Sequence, residues 1–372
     1  MNLASDSHPL LLALWDPATL TQLDDSDWQS LIDVARHNGL LAKLAAITDE
    51  HGILRQIPAK ARTHLDESLL FATHHQRAIR FEVNRLLRAL TQFDVLIVLL
   101  KGGAYLMADL PPARGRFMSD LDIMVPKDKI VSIEEALLAA GWERARLTEY
   151  DEHYFRDWMH EIPPIWHPER RVVTDIHHTI VPVTSRYRPD TEALFSAAVA
   201  LEDPRLKVLC PADMVLHSAV HLFNEEYFVG LRDLADLHDL LTYFGKTEGF
   251  WDDLLDRSRL HGLDRILYYL LRYTRRHFGT PIPEYVEKAA QTHAPHMIVR
   301  VIMNVLILSA LKPSAPGQSH PGRAIALFFL RIHSHWLKMP PLLLARHLLT
   351  KALYRWRARL RPTLARAETK PN

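Results

Sequence analysis

The sequence is poor in cysteine, with Cys210 alone among 372 residues. A single cysteine excludes an internal disulfide, and it also excludes the zinc sites that are built from four cysteines. Disulfides are common in proteins of oxidising compartments. We therefore expect a protein of the reducing cytoplasm.

Long apolar runs are missing as well. The longest, residues 301–311, is shorter than the roughly 20 residues that cross a bilayer, and it contains Asn304. Residues 1–9 carry acidic and histidine side chains where a secretory signal peptide has a basic region. We expect a cytoplasmic protein with no transmembrane segment.

Net charge is almost absent: 45 basic and 44 acidic residues leave a formal charge of +1. The charges are unevenly distributed, because residues 320–372 hold eleven Lys and Arg but one acid, Glu368. That segment therefore carries +10 and the rest of the chain about −9. A basic tail on an acidic body favours contact with a polyanion.

Apolar residues make up 48% of the chain, which is enough for two or three packed domains. Residue spacing predicts four regions: a helical N-terminal cap (1–93), an α/β core (94–200), a helical domain (201–312), and a linker followed by basic amphipathic helices (313–372). In the cap, Ser26 is the predicted N-cap of a helix that ends at Gly39. In the core, Glu134 lies on the outer side of a predicted helix.

Residues 95–125, VLIVLLKGGAYLMADLPPARGRFMSDLDIMV, carry the most informative pattern. Six apolar residues predict a strand covered on both faces, and Gly102-Gly103 then allows a sharp turn into a helix, whose first N–H groups attract anions. Asp120 and Asp122 follow on a second predicted strand, about 6.5 Å apart, so both carboxylates point to one face. Such a pair repels, and hard cations such as Mg²⁺ prefer these oxygen ligands.

The sequence LLKGGAYL, an arginine-containing loop and SDLDIMV together resemble the bacterial nucleotidyltransferase-like family of the DNA polymerase beta superfamily. The resemblance implies an α+β fold, in which a polymerase-beta-type core of a small mixed sheet with helices is flanked by helical N-terminal and C-terminal regions. It also implies transfer of an NMP from an NTP donor to a hydroxyl or phosphate acceptor, with release of pyrophosphate. The acceptor is left open between a small molecule, a peptide, a protein and tRNA.

The same resemblance implies a site for two metal ions, Mg²⁺ or Mn²⁺. Asp120 and Asp122 would bind both ions, and Asp175, followed by Ile-His on a later predicted strand, would complete the second site. There the acceptor hydroxyl would be deprotonated or polarised. The alternative is that Asp120 and Asp122 lie at a solvated strand end.

Lys101, Gly102 and Gly103 are expected to bind the triphosphate, with Arg116 and Ser119 as further donors. Two ordinary readings remain open, because Gly-Gly is common in tight turns and a lysine is common at a strand end.

His217 and His221 are four residues apart, a spacing that metal ligands also use, although no third ligand is evident. The resemblance places their helix beside the active site and matches Arg232 and Asp236 on the next one. That pair would orient base or phosphate, or form a structural ion pair. His177 shares a strand face with Asp175 and is expected, like His217 and His221, to support the metal site.

Residues 323–366 combine arginines with Trp336, Tyr354 and Trp356. This mixture suits stacking on nucleic-acid bases or peripheral contact with an anionic membrane, and a solvated helix face is the third reading.

Two other functions remain open. A catalytically inactive protein of this fold could bind nucleic acid or anionic membrane through its basic C-terminal helices. A metal-dependent hydrolase would share the carboxylates but would need no basic residue beside them.

Overall fold

The computed structural model describes residues 8–224, 230–317 and 321–360. Its architecture is α+β, as predicted, with one mixed sheet of seven short strands surrounded by helices. None of the described helices is long and apolar enough to cross a membrane.

Four described α-helices precede the sheet: α1 (Pro9–Trp15), α2 (Asp25–His37), α3 (Leu41–Glu50) and α4 (Ala59–Ala89). The prediction of Ser26 as an N-cap is wrong by two residues. The Asp24 carboxylate accepts the N–H groups of Ser26 and Asp27 at 2.9 Å each, and Asp27 accepts the N–H of Asp24 at 3.3 Å. This reciprocal capping box starts α2 earlier than a serine cap would. Gly39 follows the end of α2 with φ of 68°, a left-handed conformation that glycine adopts readily.

The strands are β1 (Ile97–Leu99), β2 (Asp120–Met124), β3 (Glu143–Arg144), β4 (Ile165–Trp166), β5 (Val173–His177), β6 (Val199–Ala200) and β7 (Leu206–Val208). Their order across the sheet is β3-β4-β5-β2-β1-β7-β6. Two neighbouring pairs, β2 with β5 and β1 with β7, are parallel, and the other pairs are antiparallel. Strand β1 is buried along its whole length, as its apolar sequence predicts.

Helices α5 (Lys101–Met107), α6 (Ile130–Ala139), α7 (Glu149–His153) and α8 (Thr191–Ser196) connect the strands, and a π-helical turn, Tyr154–Trp158, continues α7. The outward position predicted for Glu134 on α6 is wrong. Its carboxylate is buried and accepts from Arg144 at 2.8 Å and Arg156 at 2.9 Å. Two arginines from distant parts of the core replace the water that this charge would otherwise need.

In the described part of the chain, eight further helices follow the sheet: α9 (Pro211–Asn224), α10 (Leu231–Phe244), α11 (Phe250–Leu260), α12 (Asp264–Phe278), α13 (Glu284–Gln291), α14 (Met297–Ala310), α15 (Pro321–Lys338) and α16 (Pro341–Leu360). The predicted linker comprises residues 313–322. Of these, 321 and 322 are therefore helical, and 318–320 lie outside the described residues. So do residues 361–366 of the predicted polyanion contact.

The helices after the linker pack against the core. Thr184 donates to the carbonyl of Lys338 at 2.7 Å, and the Tyr150 hydroxyl lies 2.9 Å from Nδ1 of His347. Buried apolar side chains from Leu10 to Leu311 belong to one hydrophobic cluster. The division into four regions stays a prediction.

Candidate active site

Three aspartates lie on one face of the sheet, here named the carboxylate face: Asp120, Asp122 and Asp175. Asp120 and Asp122 alternate on β2, so their side chains share a face. Strand β5 runs parallel to β2 and places Asp175 in register with Asp122. Register partners on adjacent strands, about 4.8 Å apart, point to the same side. The structure thus places the three acids that the resemblance implied on one face of the sheet, although among the described residues no three of their oxygens, one from each, all lie within 4.8 Å of one another.

Asp122 is the paired member of the carboxylate face. It is buried, and Oδ1 lies 2.9 Å from Nζ of Lys101 and 3.0 Å from Nε2 of His177. Burial alone would raise the pKa of Asp122. The Lys101 ammonium and the His177 hydrogen bond outweigh it and hold the pKa well below the ordinary value, so this carboxylate is ionised.

The pKa values of Asp120 and Asp175 are shifted in the opposite direction to that of Asp122. Burial raises the pKa of Asp175 to about 7, helped by the negative charges of Glu161 and Asp122. Burial and Asp122 also raise the pKa of Asp120. Oδ1 of Asp175 is buried without a hydrogen-bond partner among the described residues. A divalent cation fits these three carboxylates, because it would give the unpartnered oxygen of Asp175 a positive partner and would offset the repulsion among the negative charges.

The turn before α5 positions Lys101 beside the carboxylate face. Lys101 has φ of 45°, which strains a residue with a side chain, and the Leu100 N–H donates to the Asp122 carbonyl at 3.0 Å. The glycines that follow allow close packing. A Cβ on Gly103 would lie 3.0 Å from Cδ1 of Leu121, and one on Gly102 would lie 3.3 Å from Cγ of Met118. Gly102 and Gly103 therefore let the first turn of α5 approach the strand that carries the aspartates.

A second group of charges, here named the ion-pair layer, lies between the core and α10: Lys43, Arg116, Arg232, Asp233, Asp236 and Asp239. Arg116 pairs with Asp236, and its Nη1 lies 3.7 Å from Asp233. Lys43 also reaches Asp236, at 3.4 Å, and Arg232 reaches Asp233 at 2.9 Å. Among the ion pairs of the described chain, Arg232 thus binds its neighbour Asp233, and the Arg232–Asp236 pair expected along the helix is not formed. Arg116 is directed at α10 by these partners.

The predicted histidines divide between the two groups. His177 contacts Asp122, as its position on β5 predicts. His217 is buried, and burial together with the nearby Lys101 and His177 lowers its pKa well below the ordinary value. Nδ1 of His221 lies 4.0 Å from Asp233 in the ion-pair layer. Within the described ranges, His217 and His221 belong to no group of three residues with ligand spacing.

Ser119 remains at the carboxylate face, where its hydroxyl lies 3.3 Å from Oδ1 of Asp120. Lys43 and Glu161 were missed by sequence reasoning. Neither lies in a motif, and only the packing of α3 and of the segment before β4 brings them to the site. No local pattern in the sequence could have identified them.

A family model described as an uncharacterised nucleotidyltransferase matches residues 24–279, which is more than half of the chain. The match includes the carboxylate face and the ion-pair layer. No curated protein matches the chain, and no solved structure does.

Proposed function

Because this chain belongs to that uncharacterised nucleotidyltransferase family, we propose that it is a metal-dependent nucleotidyltransferase. It transfers an NMP from an NTP to a hydroxyl or phosphate acceptor and releases pyrophosphate, a reaction of EC 2.7.7 type. The observation that supports this most strongly is the convergence of Asp120, Asp122 and Asp175 with excess negative charge.

Asp120, Asp122 and Asp175 would hold two Mg²⁺ or Mn²⁺ ions. Bound there, the ions would neutralise phosphate charge and polarise the attacking oxygen. Asp122 stays ionised because Lys101 and His177 pair with it. Asp175 would complete the second ion site, where the acceptor hydroxyl would be deprotonated or polarised.

Lys101 and the first turn of α5 are the proposed contacts for the triphosphate, with Ser119 beside Asp120. The Lys101 ammonium already faces the carboxylate that would bind both ions. Arg116, Arg232 and Asp236 enter the proposal as positioning residues, since each is engaged in the ion-pair layer. They would hold α10, and with it His217 and His221 of the preceding helix, against the site.

The basic residue beside the aspartates argues for a transferase rather than a hydrolase, because a hydrolase needs no clamp for a triphosphate. The direct test is incubation of the protein with each of the four NTPs, Mg²⁺ and a panel of hydroxyl and phosphate acceptors. Mass spectrometry then identifies the product. We expect an acceptor heavier by one NMP together with pyrophosphate. Release of inorganic phosphate or of free NMP alone would contradict the proposal.

A second proposal concerns the C-terminal helices, which we propose contact an anionic membrane surface. Residues 292–367 contain no Asp or Glu. Large apolar side chains are exposed on three helices there: Met297, Ile298, Val301, Ile302 and Val305 on α14; Ile325, Phe328, Phe329, Ile332 and Trp336 on α15; Leu342, Leu349, Leu353 and Trp356 on α16. On α14 and α15 these positions recur at helical spacing, so each helix presents one apolar stripe. Exposed aliphatic side chains with basic neighbours suit a lipid interface better than RNA.

Co-sedimentation with vesicles tests this contact. We expect binding to vesicles of phosphatidylcholine with phosphatidylglycerol, weak binding to phosphatidylcholine alone, and loss of binding in Phe328→Ser. Phe81→Ser, an exposed phenylalanine on α4, is the matched control and should bind like the wild type. Equal sedimentation of the two variants, or binding to an RNA oligonucleotide that competes with vesicles, would contradict a lipid surface.

A further inference from the structure

A cluster of three potential metal ligands lies beside the carboxylate face: His160, Glu161 and His177. One ligand atom from each lies within 4.8 Å of the others. The cluster is fixed by backbone pairing, because Glu161 forms a β-bridge with His177 and the His178 N–H donates to the carbonyl of His160 at 2.8 Å. Its geometry therefore depends on the sheet and not on a loose surface loop.

One ring nitrogen of His160 lacks a hydrogen-bond partner, whereas a buried histidine with a purely structural role can have partners for both nitrogens. His160 is buried, and its Nδ1 has no hydrogen-bond partner in the described chain. His261, which is equally buried, shows the satisfied alternative. Its Nδ1 accepts the N–H of Asp190 at 3.1 Å, and its Nε2 lies 3.1 Å from Asp213. A buried nitrogen without a partner is costly, and an ion bound through this nitrogen would supply the missing partner.

The donor set is chemically different from the carboxylate face. Two imidazoles and one carboxylate bind Zn²⁺, Mn²⁺, Fe²⁺ or Co²⁺, whereas Mg²⁺ prefers oxygen ligands alone. Nε2 of His177 lies 3.5 Å from Glu161 and 3.0 Å from Asp122, which places this cluster in direct contact with the proposed catalytic aspartate.

We infer that His160, Glu161 and His177 form a binding site for a transition-metal ion, separate from the oxygen-only site at Asp120, Asp122 and Asp175. The site adjoins the proposed active centre through His177. An ion bound there would fix the position of the His177 ring, and with it the contact between His177 and Asp122. The inference concerns binding of the metal alone and does not require nucleotidyl transfer.

Titration of the chelator-treated, full-length protein with Co²⁺ tests the inference, since the visible absorption of Co²⁺ reports nitrogen ligands. We expect one Co²⁺ to bind with such a spectrum in the wild type. Glu161→Gln and His160→Gln should each weaken this binding by at least about tenfold. His238→Gln, at a half-buried histidine that hydrogen-bonds Thr280, is the matched control and should keep it. Asp120→Asn should also keep it, because Asp120 belongs to the other site.

Equal Co²⁺ affinity and spectrum in wild type, Glu161→Gln and His160→Gln would overturn the inference. Circular dichroism of each variant separates loss of a ligand from loss of folding, and Glu161→Gln preserves side-chain shape if His160→Gln does not fold. Nucleotidyl transfer, measured in parallel with Mg²⁺, distinguishes the two proposals. Nucleotidyl transfer without histidine-dependent Co²⁺ binding would contradict this inference and leave the proposed function standing. Co²⁺ binding without nucleotidyl transfer would support this inference and contradict the proposed function.

Discussion

Charged side chains cluster in two neighbouring parts of this protein, and the positive and negative charges are balanced in one part and unbalanced in the other. In the ion-pair layer, burial alone would raise the pKa of Asp233, but Arg232 and Arg116 outweigh it and lower that pKa. At the carboxylate face, Lys101 and His177 pair with Asp122 alone, and the pKa values of Asp120 and Asp175 are raised.

The difference separates structure from function. A network of balanced buried charges holds two structural elements together. A surplus of negative charge lowers the stability of the fold, and such a surplus is typical of a site where a cation binds. The ion-pair layer therefore accounts for the docking of α10, and the carboxylate face for the proposed chemistry. Four substitutions test this contrast.

The largest effect is expected for Asp122→Asn, which removes one metal-binding charge at nearly constant shape. We expect nucleotidyl transfer to fall by at least about 10³-fold, or about 4 kcal/mol in the activation barrier. Asp128→Asn, at an exposed aspartate that pairs with Lys129, is the matched control and should leave the rate unchanged. Initial rates of pyrophosphate release measure both. A rate within about threefold of wild type for Asp122→Asn would remove Asp122 from the mechanism.

Arg116→Met breaks the ion-pair layer. It leaves Asp236 and Asp233 buried with fewer partners, so we expect a loss of about 3–5 kcal/mol in the free energy of unfolding, measured by urea denaturation. Arg114→Met is the matched control two residues away. Arg114 is exposed and pairs with Glu50, so its loss should cost less than about 0.5 kcal/mol. Similar costs for both arginines would show that the layer does not stabilise the fold.

In metal-free protein, Asp175→Asn should raise the free energy of unfolding, whereas Arg116→Met should lower it. Folded Asp175 has a pKa of about 7, whereas the unfolded chain releases this proton near pH 4. The folded state therefore binds more protons between these values, and its stability falls as pH rises through that window. Above pH 7 the penalty is fully present, at most about 4 kcal/mol for a shift of this size.

Thermal unfolding in EDTA at pH 5 and at pH 8 measures this effect. Asp175→Asn should be more stable than wild type at pH 8, and the two should converge toward pH 5. A variant that is less stable than wild type at pH 8 would mean that the Asp175 charge is satisfied within the protein.

Gly103→Ala is expected to have the smallest effect. The added Cβ lies 3.0 Å from Cδ1 of Leu121, so the leucine must shift, at a cost of about 1 kcal/mol. Gly322→Ala is the matched control, because a Cβ on Gly322 would meet nothing within 4 Å. Equal melting temperatures for Gly103→Ala and Gly322→Ala would contradict close packing of α5 on β2.

The sequence was sufficient to predict the elements that depend on local pattern. Alternation placed Asp120 and Asp122 on one face of β2, and helical spacing predicted α4 and most helices after β7. The family resemblance then supplied Asp175, and the parallel register of β2 and β5 placed it beside Asp122.

Long-range pairing was not predictable in this way. Helical spacing predicts a solvent-facing Glu134, because an acid on a helix usually faces solvent, yet Arg144 and Arg156 reach it from later parts of the core. The resemblance predicts that Arg116 faces phosphate, and α10 supplies two aspartates instead. In each case the partner is chosen by tertiary packing, which no local pattern encodes.

The central claim is that the carboxylate face is completed by divalent cations. Its most direct test is the melting temperature at pH 8 as Mg²⁺ is added in the presence of a non-hydrolysable NTP. We predict that wild type gains stability with Mg²⁺, because the ion offsets the repulsion among Asp120, Asp122 and Asp175. Asp175→Asn should gain much less. A wild-type melting temperature that does not respond to Mg²⁺, or that responds equally in Asp175→Asn, would contradict the account.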